Sequence, residues 1–340
     1  MSKDQSVILK GVAILMMLWL HLFSNPAFSD ISSPVLWIGD LPFATVFARA
    51  CGPVGFFLVC SGYGLAYKRL HGRLSYGSQL KRVARLYLNY WLILILLVGC
   101  GVAFCPEFRL GGLRVVIENF AGWNVDAYDH PAWFLLPYCL LCLSAPLIFG
   151  VMDRVGIWRA LGVSLALSVL SMYVISRYIA PAKAHHEWYA ILFTYFDLLF
   201  SFVLGALVCY RNMRSSWTIE WLHSRQWLVR ALFLAWFGLH LLTGSALWDV
   251  LFLCLFMLLF LNLEIRGRVR RTLLELGSKS MTMWLVHAFV YGTFFHDQIY
   301  GLRFPPLIFL GLVFASYVLS IPIMWLARVS IGRIGWLATK

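Results

Sequence analysis

The sequence has little charge and very little acid. Of its 340 residues only 15 are Asp or Glu, and 13% are charged in all, about half the share expected of a water-soluble domain. Long polar stretches are missing too: the largest, around 106–129 and 211–230, leave no room for a soluble domain beside the apolar segments. No P-loop, dinucleotide fingerprint, internal repeat or low-complexity tract occurs, so the common nucleotide-binding and repeat classes are excluded. The first apolar run has no small-residue cleavage site, because Trp19 and His21 stand where one would come. It is therefore expected to stay as a spanning helix and not to be removed as a secretory signal. The eight cysteines sit in or beside apolar segments, where cysteine behaves as a small hydrophobe. Cys139 and Cys142 have CxxC spacing but no second pair, so packing is the simpler reading and no metal is expected.

Apolar residues are what the chain has in excess: 61% of it is hydrophobic and its mean hydropathy is +0.79. A spanning helix needs about 20 mostly apolar residues. Ten windows meet or approach that length, at 7–23, 43–67, 86–104, 131–152, 157–178, 189–210, 228–242, 246–263, 281–295 and 305–328. The fold class this predicts is an all-α membrane protein, a bundle of about ten transmembrane helices forming a single integral domain over 1–340, with membrane lipids as its surroundings.

The net charge of +13 does not point to nucleic acid once the charges are sorted by loop. With the N-terminus inside, only Arg49, Arg109, Arg114, Arg177, Lys183 and Arg303 of the 28 basic residues fall outside. Asp30, Asp40, Glu107, Glu118, Asp126, Asp129 and Glu187 lean to the outer loops. The positive-inside rule accounts for this segregation if the helix number is even and both termini are cytoplasmic.

Polar side chains within spanning helices are costly and tend to face a partner or a cavity. Those here are Lys10, His21, Ser61, Asp197, His240, Asp249 and His287. Lys10 and His21 are eleven residues apart, which on a helix is three turns plus about 20° and a rise of about 16 Å, so both project from one face. A cation near the inner surface with an imidazole deeper in suits a long donor such as coenzyme A, whose phosphates and thioester lie at opposite ends. Imidazole can take a proton from an attacking hydroxyl or accept an acyl group itself. The plainer alternative is a snorkelling lysine and an interfacial histidine.

Ser61 and Gly62, followed by Tyr63, either let another helix approach closely or leave room for a pantetheine arm. Arg82 and Arg85 share a helix face and either bind phosphate oxygens or anchor the helix end. Asp197 is neutral or paired with a neighbouring helix. His240 and Asp249 flank the turn at Thr243-Gly244-Ser245, and His287, seven residues after Ser280, is a stronger cavity-lining candidate.

These segments together resemble the acyltransferase-3 family of bacterial membrane acyltransferases. Leu9-Lys10-Gly11 through His21 is similar to that family's first-helix signature, a basic residue, a ten-residue gap and a histidine. Gly55-Phe56-Phe57-Leu58-Val59-Cys60-Ser61-Gly62-Tyr63 is similar to its second signature, and Lys81-Arg82-Val83-Ala84-Arg85 resembles the basic entrance to its third helix. Ala132-Trp133-Phe134-Leu135 and the run from Leu276 to His287 resemble its later motifs, in the same order. The resemblance implies an acyl-CoA donor, usually acetyl-CoA, on the cytoplasmic side. It implies a hydroxyl acceptor on a cell-surface carbohydrate or its lipid-linked precursor, and a place in the bacterial cytoplasmic membrane. It also implies that His21 is catalytic and that Lys10, Arg82 and Arg85 serve the donor; Ser61 and Gly62 are placed with them as candidates for the donor's arm, and Tyr63, Trp133, Asp197, Ser280 and His287 are cavity-lining candidates.

Leu88 stands where the family commonly has proline. Phe134-Leu135-Leu136-Pro137-Tyr138 follows Trp133 where many members have a glutamate, so no second catalytic carboxylate is assigned. No hydrolase-like domain is expected after the last helix, and onward transfer of the acyl group would use a separate protein. The competing reading is a transporter or exporter of a glycan or small polar solute, since intramembrane polar residues serve that purpose equally well. Against it, the two halves show no matched pair of Gly/Pro-interrupted helices.

Overall fold

A computed structural model describes residues 1–214, 217–243 and 246–338. The Gly244-Ser245 part of the expected turn lies outside them. The described residues form helices α1 (Lys3–Phe23), α2 (Phe43–Arg49), α3 (Pro53–Leu70), α4 (Tyr76–Phe104), α5 (Leu113–Ala121), α6 (Leu135–Val155), α7 (Ile157–Val174), α8 (Trp188–Arg214), α9 (Glu220–His223), α10 (Gln226–Leu242), α11 (Ala246–Asn262), α12 (Gly267–Ala288), α13 (His296–Tyr300), α14 (Pro305–Arg333) and α15 (Gly335–Ala338). The strands among them are two antiparallel dipeptides, β1 (Trp37–Ile38) and β2 (Leu41–Pro42), joined through Gly39 at φ +58°.

Helix covers most of each of the ten apolar windows. Seven segments of the described chain are long and apolar enough to cross a membrane, and two shorter apolar helices cover Gln226–Leu242 and Trp248–Asn262. Large apolar side chains turn outward on these helices, among them Ile95, Phe104, Leu234, Leu242 and Phe314, as lipid contact requires. The chain is a multi-pass membrane protein.

Two windows differ in detail from the expectation. The segment at 43–67 is broken between α2 and α3 at Ala50–Gly52. Pro53 offers no N–H and pushes the residue before it out of helical geometry, so α3 restarts with Pro53 at its first position, the site a helix tolerates best. The window at 281–295 understates α12, which begins at Gly267. Arg268, Arg270 and Arg271 depress the hydropathy of its first turns without opposing helix formation.

Contacts group the chain into two compact units. The first comprises 1–13, 52–76 and 143–277; the second comprises 14–51, 77–142 and 278–340.

In the first unit, close helix packing rests on glycine. A Cβ at Gly62 would collide with the Phe202 carbonyl, and one at Gly205 with the Val59 carbonyl, so α3 and α8 approach backbone to backbone. Gly11 against Leu273 and Gly277 against Val7 do the same for α1 and α12. With lipid as solvent, such approach supplies the van der Waals contact that the hydrophobic effect supplies in water. Ser164, Ser168 and Ser171 give α7 a buried small-residue face.

In the second unit, Trp19 packs edge-on against Phe23, Phe47 and Phe309. Three side chains of α4 fasten the end of α5: Tyr87 donates to the Ala121 carbonyl at 2.8 Å, Tyr90 to Asn119 at 2.9 Å and Trp91 to Phe120 at 2.7 Å. Gly122, at φ +72°, then ends α5 in the left-handed conformation that glycine adopts without strain.

Candidate active site

His21 lies in the last turn of α1. In the second unit its ring centroid is 5.0 Å from that of His287 on α12, with the planes inclined at 50°. His287 is fully buried. Its Nδ1 is 2.6 Å from the Trp284 carbonyl oxygen. A carbonyl can only accept, so Nδ1 carries the hydrogen and Nε2 keeps the lone pair. That Nε2 is buried without a hydrogen-bond partner. The spacing of polar residues brought out both histidines; the fold brings them together.

Three neighbours fix the pair. Tyr291, in the π turn Phe289–Phe294 that follows α12, has its ring 6.0 Å from His287. Single π turns inside helices are frequent at functional sites, because the extra residue re-aims side chains. Tyr300 donates to the Leu22 carbonyl at 3.2 Å, beside His21. Trp284 donates through Nε1 to the Pro131 carbonyl at 3.0 Å, fastening the turn before α6 to α12.

That turn carries Asp129, by sequence one of the outer-loop acids. Asp129 is 0% exposed, and neither carboxyl oxygen has a hydrogen-bond partner. Burial pushes its carboxyl well above the usual carboxylate range. Its backbone is satisfied, the N–H donating to the Val125 carbonyl at 3.0 Å and the carbonyl accepting from Ala132 at 2.8 Å. The next residue, His130, is exposed, pairs with Asp126 at 2.7 Å and lies within electrostatic range of His21. The available signal was an Asp-His pair directly before Pro131-Ala132-Trp133-Phe134. Nothing in its pattern separates it from ordinary loop charge.

The other expected residues are distributed between the units. In the second, Arg82 donates to the Tyr138 hydroxyl and also lies over its ring. Arg85 donates to the Leu337 carbonyl. The two arginines share a face of α4 but meet different partners. Ser280 is buried, whereas Trp133 is 39% exposed; Phe134, not Trp133, packs against Trp284, at 5.5 Å.

In the first unit Lys10 is within electrostatic range of Cys60, next to buried Ser61. The space that a Cβ at Gly62 would take is filled by the backbone of α8, which is the packing use of that glycine. The Tyr63 hydroxyl accepts from the N-terminal amine at 3.2 Å and from Asn212 at 3.3 Å. Asp197 receives a hydrogen bond from Ser168 at 3.0 Å, so a side chain on the neighbouring helix satisfies it.

Residues 7–325 match the model of a family described as an acyltransferase domain. No curated protein and no solved structure matches the chain.

Proposed function

The chain belongs to this acyltransferase family, whose model spans residues 7–325, and from that premise we propose that it is an O-acyltransferase taking an acyl group, acetyl in the simplest case, from acyl-CoA. The acceptor is a hydroxyl of a cell-surface glycan or its lipid-linked precursor, and the setting is the bacterial cytoplasmic membrane. The observation that carries this reading is the pairing of His21 with His287, whose lone-pair nitrogen is held buried and open for a proton.

In the proposed reaction His21 takes the proton of the acceptor hydroxyl as its oxygen bonds to the thioester carbonyl carbon. The carbon–sulfur bond then breaks, the coenzyme thiolate leaves with that proton, and the imidazole ends as it began. Two adjacent imidazoles suit the step, since His287 packs against the neighbouring ring and has its own tautomer fixed by the Trp284 carbonyl. A water-poor setting strengthens every such interaction.

Arg82 and Arg85 are assigned to the donor's phosphates. A guanidinium carries five N–H donors in a fixed fork, so the bonds to Tyr138 and Leu337 orient these side chains as well as engage them. Purified protein in nanodiscs is expected to be stabilised by acetyl-CoA, by about 2.7 kcal/mol at a hundredfold excess over the dissociation constant. The double change Arg82→Ala, Arg85→Ala removes most of that ligand-dependent shift. Thermal denaturation with and without acetyl-CoA reads this directly. A wild-type protein that acetyl-CoA does not stabilise contradicts the donor assignment, and an undiminished shift in the double variant contradicts the arginines' role.

A further inference from the structure

The mechanism above uses both histidines and leaves Asp129 without a task. A buried carboxyl with neither oxygen hydrogen-bonded is rare in a folded protein, where buried polar groups are nearly always satisfied. Asp129 is not stranded by disorder, because its own backbone is hydrogen-bonded on both sides. Nor does a cation neutralise it among the described residues: the groups within its electrostatic range are the hydroxyls of Tyr90 and Tyr291. Tyr90 already donates to the Asn119 carbonyl, so it has no proton left for Asp129.

Asp129 is also joined to the histidine pair by a short, well-defined path. The Pro131 carbonyl, two residues on, accepts from Trp284, and the Trp284 carbonyl accepts from His287. The Tyr291 ring lies 6.0 Å from that of His287, and its hydroxyl is within electrostatic range of Asp129. Two buried polar groups with unmet hydrogen-bonding capacity, the Asp129 carboxyl and His287 Nε2, therefore hang from one backbone junction. His130, exposed beside Asp129, marks the side from which solvent reaches the turn.

Resting on the acyl-transfer reading, we propose that Asp129 is the acceptor-binding residue, its carboxyl clasping one hydroxyl of a polyhydroxylated acceptor while a neighbouring hydroxyl is presented to the His21–His287 pair. A carboxyl that keeps its proton is both donor and acceptor, which matches a sugar hydroxyl, itself donor and acceptor. It is poorly matched to an acceptor with a single hydroxyl and an alkyl chain. The arrangement makes Asp129 a selector for carbohydrate over simple alcohols without a charge at the site.

The test uses the whole chain in nanodiscs with methyl glucoside, methyl galactoside and methyl mannoside as acceptor probes, and ethanol as the single-hydroxyl control. One arm measures glycoside binding without donor, by intrinsic tryptophan fluorescence. The other measures release of coenzyme A thiol from acetyl-CoA against glycoside concentration. Asp129→Asn, which keeps a neutral donor and acceptor of the same shape, is expected to bind and turn over within about threefold of wild type. Asp129→Leu is expected to raise the glycoside dissociation constant and KM about tenfold or more, with kcat and the acetyl-CoA thermal shift nearly unchanged, as loss of one buried hydrogen-bonding group implies.

Unaltered glycoside binding in Asp129→Leu overturns the proposal, as does an Asn variant as impaired as the Leu variant, or a wild-type protein that binds none of the three glycosides. If glycosides bind as described but wild type releases no thiol from acetyl-CoA, the acyl-transfer reading fails while the binding arm still decides the role of Asp129.

Discussion

Replacing His21 by alanine is expected to lower acyl transfer about 10²–10⁴-fold, the usual contribution of a positioned general base. The protein should remain folded and membrane-inserted, and acetyl-CoA should stabilise it as it does wild type. The basis is local: His21 closes the last turn of α1, and the fully buried His287 ring stands 5.0 Å away with one nitrogen committed to the Trp284 carbonyl. Removing His287 instead should cost a comparable factor, because the ring that holds and faces His21 is gone. Groups that act as a unit are strongly non-additive, so the double variant should be little worse than either single one. Initial rates of coenzyme A release in the four proteins read this out. Multiplying losses would show two independent roles and dissolve the pair.

The second large effect concerns folding. Gly62→Ala and Gly205→Ala each place a methyl group against a backbone carbonyl of the facing helix, Phe202 in one case and Val59 in the other. Backbone cannot swing aside as a side-chain end can, so α3 and α8 must separate. Overpacking of this kind costs about 1–3 kcal/mol per site, occasionally more, and here it also forfeits the close contact on which helix association in lipid depends. The double variant is expected to give little monodisperse protein on size-exclusion chromatography and a clearly lower melting temperature. Gly64→Ala is the internal control, since a Cβ there meets nothing within 4 Å; it should behave as wild type. Equal behaviour of Gly62→Ala and Gly64→Ala would remove the packing argument.

Hydropathy was sufficient to find the helices, because a lipid-exposed segment must carry its apolar character along its whole length. It misplaced the start of α12 and missed the break at Ala50–Gly52, where the deciding factors were an arginine run and a single proline. The site was legible only in part. His21 and His287 stood out as intramembrane polar residues, but 266 residues of chain separate them, and no local pattern says that they meet. Asp197 looked costly until Ser168 supplied its hydrogen bond from α7. Asp129 shows the opposite failure: an acid in a polar stretch reads as solvated, and its burial is a property of the fold around it. Glycine had two readings in the sequence, room for a ligand or room for a helix, and at Gly62 the facing backbone of α8 shows the packing one.

The most direct test follows the acyl group itself. Purified protein is incubated with acetyl-CoA labelled in the acetyl carbon and with methyl glucoside, and the glycoside is analysed by mass spectrometry for a labelled ester. The expected result is one ester formed per coenzyme A released by wild type, and almost none by His21→Ala at equal protein. Ester formation at an undiminished rate in His21→Ala would contradict the assignment of the imidazole at the end of α1 as the group that takes the proton.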